Sequence, residues 1–358
     1  MICCHKLYIS LQGFLYFVLA TVFLSQILAT VEFVAAQTHP NPFERGTGFA
    51  PSIQALAVTG DGRIFAGSFG QGVFVSTNRG ETWTTMNSGL KDRFILCLSV
   101  DQEGAVYAGT VRGGIYRIKG DEKKWASISQ GLKRVEVKSL LAHRQGLYAG
   151  TGRGVYQWQE EQQMWIVVAK GLDQILVSSL VMMDNQRLYA GTAGNGVQWL
   201  DTTKLGTATW QRVESEFVDA KERLRHKHIR VLAKNDDGAL FVGTQDGGIY
   251  RSTDLGKTWH IFGRSLPNDS IRGIVSTSIG VLVATGRGVY KTNVSNAKWI
   301  AVNRGLTELS LQAMVMTKDG ELFAGTSAGA FRSQDYGGHW VNVSQGLGVQ
   351  FSMPRPFF

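Results

Sequence analysis

The chain of 358 residues carries 37 lysines and arginines against 28 aspartates and glutamates, a net charge of +9. It has three cysteines, and two of them, Cys3 and Cys4, lie at the extreme N-terminus. The third, Cys97, then has no partner, which excludes a disulfide-stapled fold. A positive excess favours anionic partners. Nucleic acid is not expected among them, because the basic residues are not interleaved with aromatic ones.

Residues 1–36 have the pattern of a secretory signal. A short basic start is followed by an uncharged stretch from Leu7 to Val31, and small residues over Val34–Ala36 mark a cleavage site. An uncleaved membrane anchor is the alternative, because the apolar stretch is long enough to span a bilayer. Residues 37–50 are then a linker, and the protein is expected in the periplasm or outside the cell.

Seven tryptophans then recur, separated by 42, 40, 45, 49, 40 and 41 residues: Trp83, Trp125, Trp165, Trp210, Trp259, Trp299 and Trp340. Each repeat holds four short runs rich in Val, Ile, Tyr and Phe and bounded by Gly, Asp or Asn, a pattern typical of β-strands. The second run reads "RIFAGS" at Arg63, and its sixth copy, "VLVATG" at Val281, is interpreted as shorter by about one residue. The first run has a small residue at its third position, including Cys97, which is therefore expected in the core.

Seven copies of four strands predict an all-β fold, a single seven-bladed β-propeller of four-stranded antiparallel blades. The propeller is predicted over residues 51–346, and residues 347–358 form a C-terminal tail.

The phrase S-x-D-x-G-x-x-W lies between the third and fourth strands of a repeat and predicts a tight turn. Its Ser and Asp side chains can hydrogen-bond backbone N–H groups, and its glycine can adopt a positive φ. Its tryptophan can pack between neighbouring blades. A structural role is therefore predicted for Ser76, Gly80, Trp83, Ser252, Asp254, Gly256, Trp259, Ser333, Asp335, Gly337 and Trp340.

These phrases resemble the Asp-box (BNR) repeats of a group of β-propellers. The group includes sialidases, xyloglucanase-type glycosidases, the sortilin ectodomain and the photosystem II stability/assembly factor family. The resemblance covers roughly residues 50–346 and implies a propeller but no single function, because fold does not determine function. For the photosystem assembly family it implies an arginine-rich patch that docks a membrane-protein precursor. Arg112, Arg153, Arg272 and Arg287 are the counterparts by repeat position.

Many cations are expected at one end of the ring. The turns joining strands one to two and three to four share what we call the first face. The turns joining strands two to three, and the connections between blades, share the second face. We predict a partner-binding surface on the second face formed by Arg112, Arg153, Arg230, Arg272, Arg287 and Lys138. Further cations there are Lys91, Arg93, Lys133 and Arg134, and Lys221, Arg223, Arg225 and Lys227 in an insertion over 214–230. The alternative is the ordinary solvated surface of a basic protein, diluted by aspartates on the same side.

No catalytic residue, metal or cofactor is expected. The FRIP start of sialidases is absent, that family has six blades, and a single ring lacks the second wall of the xyloglucanase cleft. His226 and His228 have no evident third partner for a metal. Exposed aromatic residues on the second face are expected to be few, with Phe69 and Phe217 as the main candidates.

The sequence therefore predicts an exported, monomeric, non-enzymatic propeller that binds a protein or another anionic partner through its basic second face. The role resembles that of an assembly factor. The alternative is a glycan-binding or glycoside hydrolase-like propeller of the sialidase or xyloglucanase type. A sensory propeller ranks third, because no signalling helix is recognisable after residue 346. Membrane contact is expected only through an uncleaved N-terminal segment.

Overall fold

The structure, a computed structural model, describes residues 50–348 apart from 133, 185, 206, 214–215, 218–227, 263–265, 267–269, 278–279 and 293–297. The predicted signal segment lies outside the described residues, as do nearly all of the linker and most of the tail. Within the described part, no helix has both the length and the apolar character needed to cross a membrane.

The described residues form seven sheets, each built on four antiparallel strands that are consecutive in the chain. Blades 1 and 2 comprise β1 (Ile53–Val58), β2 (Ile64–Ser68), β3 (Gly72–Ser76), β4 (Thr84–Thr85), β5 (Ile95–Val100), β6 (Val106–Thr110), β7 (Ile115–Ile118) and β8 (Ala126–Ser127). Blades 3 and 4 comprise β9 (Val137–His143), β10 (Gly146–Thr151), β11 (Gly154–Gln159), β12 (Met164–Val167), β13 (Val177–Met183), β14 (Arg187–Thr192), β15 (Val197–Asp201) and β16 (Gln211–Arg212). A short 3-10 helix (Thr202–Lys204) follows β15.

The insertion contributes β17 (Glu216–Phe217), which pairs in parallel with the outer strand of blade 5 and extends that sheet to five strands. Blade 5 itself comprises β18 (Ile229–Lys234), β19 (Leu240–Thr244), β20 (Ile249–Ser252) and β21 (Thr258–Ile261). Blades 6 and 7 comprise β22 (Ile271–Ser276), β23 (Val281–Thr285), β24 (Gly288–Thr292), β25 (Ile300–Ala301), β26 (Leu311–Met316), β27 (Leu322–Thr326), β28 (Gly329–Ser333) and β29 (Val341–Asn342). The prediction of an all-β, seven-bladed propeller is confirmed.

One packing contact between neighbouring blades recurs around the ring. The first residue of each inner strand is buried, and its side chain lies against the glycine of the second strand in the preceding blade. A Cβ placed on Gly67 would lie 2.5 Å from Cγ2 of Ile95, and one on Gly325 would lie 2.8 Å from Cγ2 of Ile53. Carbon atoms in contact are normally about 3.5–4.0 Å apart. The glycine of the recurring "AGT" phrase is therefore required by packing.

Blade 6 makes the same contact with a different pair of residues. The strand β23 keeps its five residues and carries Ala284 at the glycine position, opposite Gly273 of β22. The interpretation of "VLVATG" as one residue short is therefore wrong. Leu311, the first residue of the inner strand of blade 7, packs in the same cluster as Ala284, and every other blade has isoleucine or valine at that strand position. Leucine branches at Cγ rather than Cβ, which leaves room for the alanine methyl group.

The seven recurring tryptophans are all buried, and each packs into a cluster with residues of the preceding blade. The indole N–H of Trp125 donates a hydrogen bond to the Met86 carbonyl of blade 1 at 2.8 Å. Trp340 makes the equivalent bond to Val302 at 2.8 Å. The indole N–H of Trp210 is an exception, since it is buried without a hydrogen-bond partner among the described residues.

Blade 7 joins blade 1 through the same contacts and one additional cluster of charges. Trp83 donates to the Val343 carbonyl at 2.6 Å. On the first face, the Arg79 guanidinium lies 3.3 Å from a carboxylate oxygen of Asp319 and 3.3 Å from one of Glu321. Glu321 is largely buried, so this ion pair compensates a carboxylate that has lost most of its hydration. Among the described residues, side-chain packing and backbone hydrogen bonds therefore join blade 7 to blade 1, and each of these two blades is built from its own four consecutive strands.

Candidate binding face

The Ser–Asp–Gly turns between the third and fourth strands use their polar groups internally. Ser252 accepts a hydrogen bond from the N–H of Gly256 at 2.8 Å and donates its hydroxyl to Asp254 at 2.8 Å. The other end of the turn is fixed because Asp254 accepts from the N–H of Thr258 at 2.9 Å. Leu255 and Gly256 both adopt left-handed φ values, 60° and 82°.

The carboxylate of such a turn is held ionised by these bonds. Burial alone would raise the pKa of Asp254, but hydrogen bonds from Thr258 and Ser252 outweigh it and lower the pKa to about 2. The turns of blades 1 and 7 repeat the geometry, with Gly80 and Gly337 donating to Ser76 and Ser333 at 2.8 and 2.9 Å. Asp335 also has a lowered pKa, chiefly through the N–H of His339. These carboxylates serve the turn and are not presented to a ligand.

The predicted cations of the second face occupy two positions of the repeat. Every inner strand has a β-bulge between its first and third residues. The second residue is thus released from regular pairing and its side chain is re-aimed. Three of the predicted residues, Lys138, Arg230 and Arg272, hold this bulge position. The other three, Arg112, Arg153 and Arg287, lie in the turns between the second and third strands.

The six cations differ in how free their side chains are. Lys138 is paired with Glu136 at 2.6 Å. Arg272 is half-buried and donates to the Leu311 carbonyl at 2.8 Å, so it joins blade 6 to blade 7. Burial, and secondarily the charge of Arg230, lower the pKa of Arg272. By contrast, the exposed guanidinium groups of four residues have no hydrogen bond or ion pair with any described residue: Arg112, Arg153, Arg230 and Arg287.

Several neighbouring cations add to this set. Lys91, Arg93 and Arg134 are exposed in the connections between blades 1 and 2 and between blades 2 and 3. Lys133, His226, Asp269 and the cations Lys221, Arg223, Arg225 and Lys227 of the insertion lie outside the described residues.

Two aromatic residues form a pair on the second face, and only one of them was predicted from the sequence. Phe69, in the turn of blade 1, is 50% exposed, and Phe94, before the inner strand of blade 2, is 44% exposed. Their ring centroids are 4.9 Å apart in an edge-to-face arrangement with an interplanar angle of 74°. Sequence analysis named Phe69 and missed Phe94. The missed signal was a comparison across repeats, since the same position holds Ser52, Glu136, Leu176, His228, Ser270 and Ser310 elsewhere. The side chain of Phe217 lies outside the described residues.

The described residues offer no cluster of three or more His, Cys, Asp or Glu side chains that could hold a metal ion. Cys97 is a core residue, and burial raises the pKa of its thiol to about 12. A thiol with so high a pKa is a poor nucleophile at neutral pH.

Comparison with known proteins shows the fold and nothing finer. No protein-family model and no curated protein matches the sequence. Among solved structures, the chain is similar to the extracellular domain of the hybrid two-component system BT3049 from B. thetaiotaomicron, with a TM-score of 0.66 and 18% identity over 80% of this chain and 39% of that one. It is also similar to a GH74 enzyme from Niastella koreensis, with a TM-score of 0.62 and 13% identity over 84% of this chain and 55% of that one.

A third similar structure is PorZ, a surface component of the type-IX secretion system of Porphyromonas gingivalis. Its TM-score is 0.62, with 18% identity over 79% of this chain and 46% of that one. The chain thus spans between about two fifths and just over half of the length of these three proteins. At such identities the likeness establishes one architecture, the seven-bladed β-propeller, for the described part of the chain.

Proposed function

We propose that this protein is an exported, non-enzymatic scaffold that docks a protein partner through its second face. The observation that carries the proposal is the set of four exposed arginines on that face, Arg112, Arg153, Arg230 and Arg287, none of which has a partner among the described residues. Arginine recognises carboxylates through a rigid fork of N–H donors. Guanidinium groups that have no internal carboxylate remain available to one supplied by a partner.

The distribution of charge supports the same proposal. The described acids of the Ser–Asp–Gly turns lie on the first face and are occupied by their own turns. On the second face the carboxylate of Asp92 is likewise occupied, since it accepts three backbone N–H groups. A positive field at one end of the ring accelerates and orients the approach of an anionic partner.

Two further observations support export. The uncharged stretch and small residues of the first 36 positions follow the pattern of a secretory signal. Two of the similar structures are described as an extracellular domain and as a bacterial surface component. An assembly-factor-like role, as in the photosystem II stability/assembly factor family, is the specific form of scaffold that the repeat phrases suggest.

The test is capture of partners from envelope extract with the purified full-length protein. One variant reverses the four free arginines: Arg112→Glu, Arg153→Glu, Arg230→Glu and Arg287→Glu. A control variant reverses four exposed first-face cations and so has the same net charge: Lys123→Glu, Arg144→Glu, Lys257→Glu and Lys318→Glu. Exposed substitutions of this kind change stability by about 0.5 kcal/mol or less each, so both variants are expected to fold.

We expect a defined protein to be captured by the wild type and the control and to be lost from the second-face variant. Equal capture by both variants would contradict docking through this face. Arg272 is left unchanged in this design because it joins two blades, and its replacement would disturb the ring itself.

A glycan-binding protein is the second candidate, favoured by the exposed pair Phe69 and Phe94. Aromatic rings on a propeller surface can stack against sugars, and a similar structure is a GH74 enzyme. Capture of polysaccharide alone in the same experiment would establish this alternative. Hydrolysis of a captured polysaccharide would show enzymatic activity.

A further inference from the structure

The second face has a cleft between blades 1 and 2 that combines aromatic and cationic groups. Its volume is about 720 Å³, and its walls include Phe69, Phe94, Lys91, Arg112 and Arg134. The two phenylalanines are the most exposed aromatic side chains of the described residues. The cleft therefore differs from the rest of the described second face, because it places two exposed aromatic rings beside several cations.

The repeat itself shows that the ring does not require these aromatic residues. In six of the seven blades, the turn between the second and third strands is tied by a backbone hydrogen bond to the residue before its own inner strand. Phe69 donates its N–H to the Ser52 carbonyl at 3.0 Å, and Ser327 donates to that of Ser310 at 3.1 Å. The turn residues equivalent to Phe69 in blades 2 to 7 are Val111, Gly152, Ala193, Gln245, Gly286 and Ser327. None of these is aromatic, although their blades have the same fold.

The cleft is held in place by its backbone. Gly70 and Gly72 of blade 1 both donate their N–H groups to the Arg93 carbonyl, at 3.1 and 3.0 Å. Gly70 has a φ of 106°, and a Cβ there would lie 3.5 Å from the Phe94 ring. The turn thus brings the two blades together on either side of the aromatic pair, and a ligand would meet a preorganised surface.

The only described carboxylate in the wall of the cleft is occupied. Asp92 accepts from the N–H groups of Arg112 at 2.7 Å, Gly113 at 2.9 Å and Phe94 at 3.0 Å. Three of its roughly four acceptor positions are therefore used within the protein, which leaves little capacity for the hydroxyl groups of a neutral sugar. The side chains of Lys91, Arg112 and Arg134 have no partner among the described residues and offer positive charge instead.

We propose that this cleft binds an acidic peptide segment of the partner, with an aromatic or large apolar side chain on Phe69 and Phe94 and neighbouring carboxylates on Lys91, Arg112 and Arg134. The inference rests on the proposed docking function and specifies the chemistry that the second face recognises. Charge complementarity selects an acidic segment, and the phenylalanine pair selects a ring or large aliphatic group within it. A peptide is favoured over a sugar because the cleft offers few free hydrogen-bond acceptors.

The test measures binding of a fluorescent, capped pentapeptide that has one phenylalanine between two pairs of aspartates. The purified full-length protein is titrated against this peptide and against two analogues, one with alanine for the phenylalanine and one with asparagines for the aspartates. A sulfated tetrasaccharide with the same total charge is the fourth probe. The protein variants are Phe69→Ser with Phe94→Ser, and a matched control, Ile300→Ser with Val341→Ser, which alters two residues that are 50% and 49% exposed on outer strands. Serine is chosen because other blades carry it at these second-face positions.

We expect the phenylalanine variant and the alanine peptide each to weaken binding about tenfold, as for loss of an aromatic anchor, while the control pair binds like the wild type. Equal binding of the phenylalanine and alanine peptides would overturn the cleft proposal, as would equal binding by both protein variants. Absence of measurable binding to the acidic peptide, or tighter and Phe69-dependent binding of the tetrasaccharide, would also overturn it. Such results would reject the cleft proposal without deciding the docking proposal, which the capture experiment tests separately. Loss of partner capture in the four-arginine variant with unchanged capture in the phenylalanine variant would retain docking and reject this cleft.

Discussion

The contact between Gly67 and Ile95 allows a stringent prediction about how the blades fit together. In Gly67→Ala, the new methyl carbon would start 2.5 Å from Cγ2 of Ile95 and 3.1 Å from its Cβ. The two blades must therefore separate locally by about 1 Å to reach normal contact. Overpacking of this kind costs about 1–3 kcal/mol, and replacing a strand glycine returns about 0.5–1 kcal/mol. We expect a net loss of about 1–2 kcal/mol in the free energy of unfolding.

The partner substitution Ile95→Leu should relieve the clash, because leucine carries no methyl group on Cβ. The chain already contains this combination as Ala284 and Leu311 in blades 6 and 7. The double variant Gly67→Ala with Ile95→Leu is therefore expected to be more stable than the sum of the single changes by about 1 kcal/mol or more. The reciprocal change, Leu311→Ile, is expected to destabilise the protein until Ala284→Gly is added.

The assay is urea unfolding of full-length variants, monitored by tryptophan fluorescence and circular dichroism. The free energies of the variants are comparable if the slope of unfolding free energy against urea concentration is the same for all of them. Each pair of single variants and its double variant form a double-mutant cycle. If the free-energy changes of the single variants add up to that of the double variant within about 0.5 kcal/mol in both cycles, the packing argument is refuted. A Gly67→Ala variant as stable as the wild type would refute it as well.

Three further outcomes follow from the charged and buried groups. Arg79→Ala leaves the buried Glu321 carboxylate without its ion pair and should lower the unfolding free energy by about 1–2 kcal/mol, whereas Lys123→Ala should leave it unchanged; equal urea midpoints would contradict this ring-closing role. The pKa of Asp254 is about 2 in the folded protein, below its usual 3.8, so the folded state binds fewer protons between these values and stability should fall as the pH is lowered through them. Asp254→Asn should flatten that pH dependence of the urea midpoint, and an unchanged slope would argue against it. Cys97, with its pKa raised to about 12 by burial, should resist iodoacetamide at pH 8 until the protein is unfolded, and rapid labelling of the native protein would show that it is accessible.

The architecture was predictable because the same sequence repeat occurs seven times in the chain. A strand pattern of four to six residues is ambiguous when it occurs once. A set of four such patterns that recurs seven times, each time with a tryptophan at the same position, is compatible with few folds. The structural role of the Ser–Asp–Gly turns was also predictable, since Ser252, Asp254 and Gly256 make local hydrogen bonds whose partners lie within six residues. Local interactions can be read from local sequence.

The freedom of individual side chains was not predictable in the same way. Arg272 and Arg230 hold the same repeat position, yet only Arg272 reaches a carbonyl of the next blade. Its partner, Leu311, is 39 residues further along the chain. Comparison across repeats could have singled out Phe94 as an unusual aromatic residue, but not its contact with Phe69, which forms across the interface of two blades. The interpretation of "VLVATG" was wrong because Ala284 takes the strand position that glycine holds in the other blades, and the residue that packs in the same cluster, Leu311, lies in blade 7.

The most direct test of the second face as the docking surface is site-specific photo-crosslinking in the native cell envelope. A photoreactive benzoyl-phenylalanine would replace Gln245 on the second face or Asp236 on the first face, both exposed turn residues of blade 5. Docking through the second face predicts a discrete crosslinked product at Gln245 that is absent at Asp236 and disappears when the four free arginines are reversed. Crosslinking from Asp236 alone, or a Gln245 product that survives the arginine reversal, would contradict it.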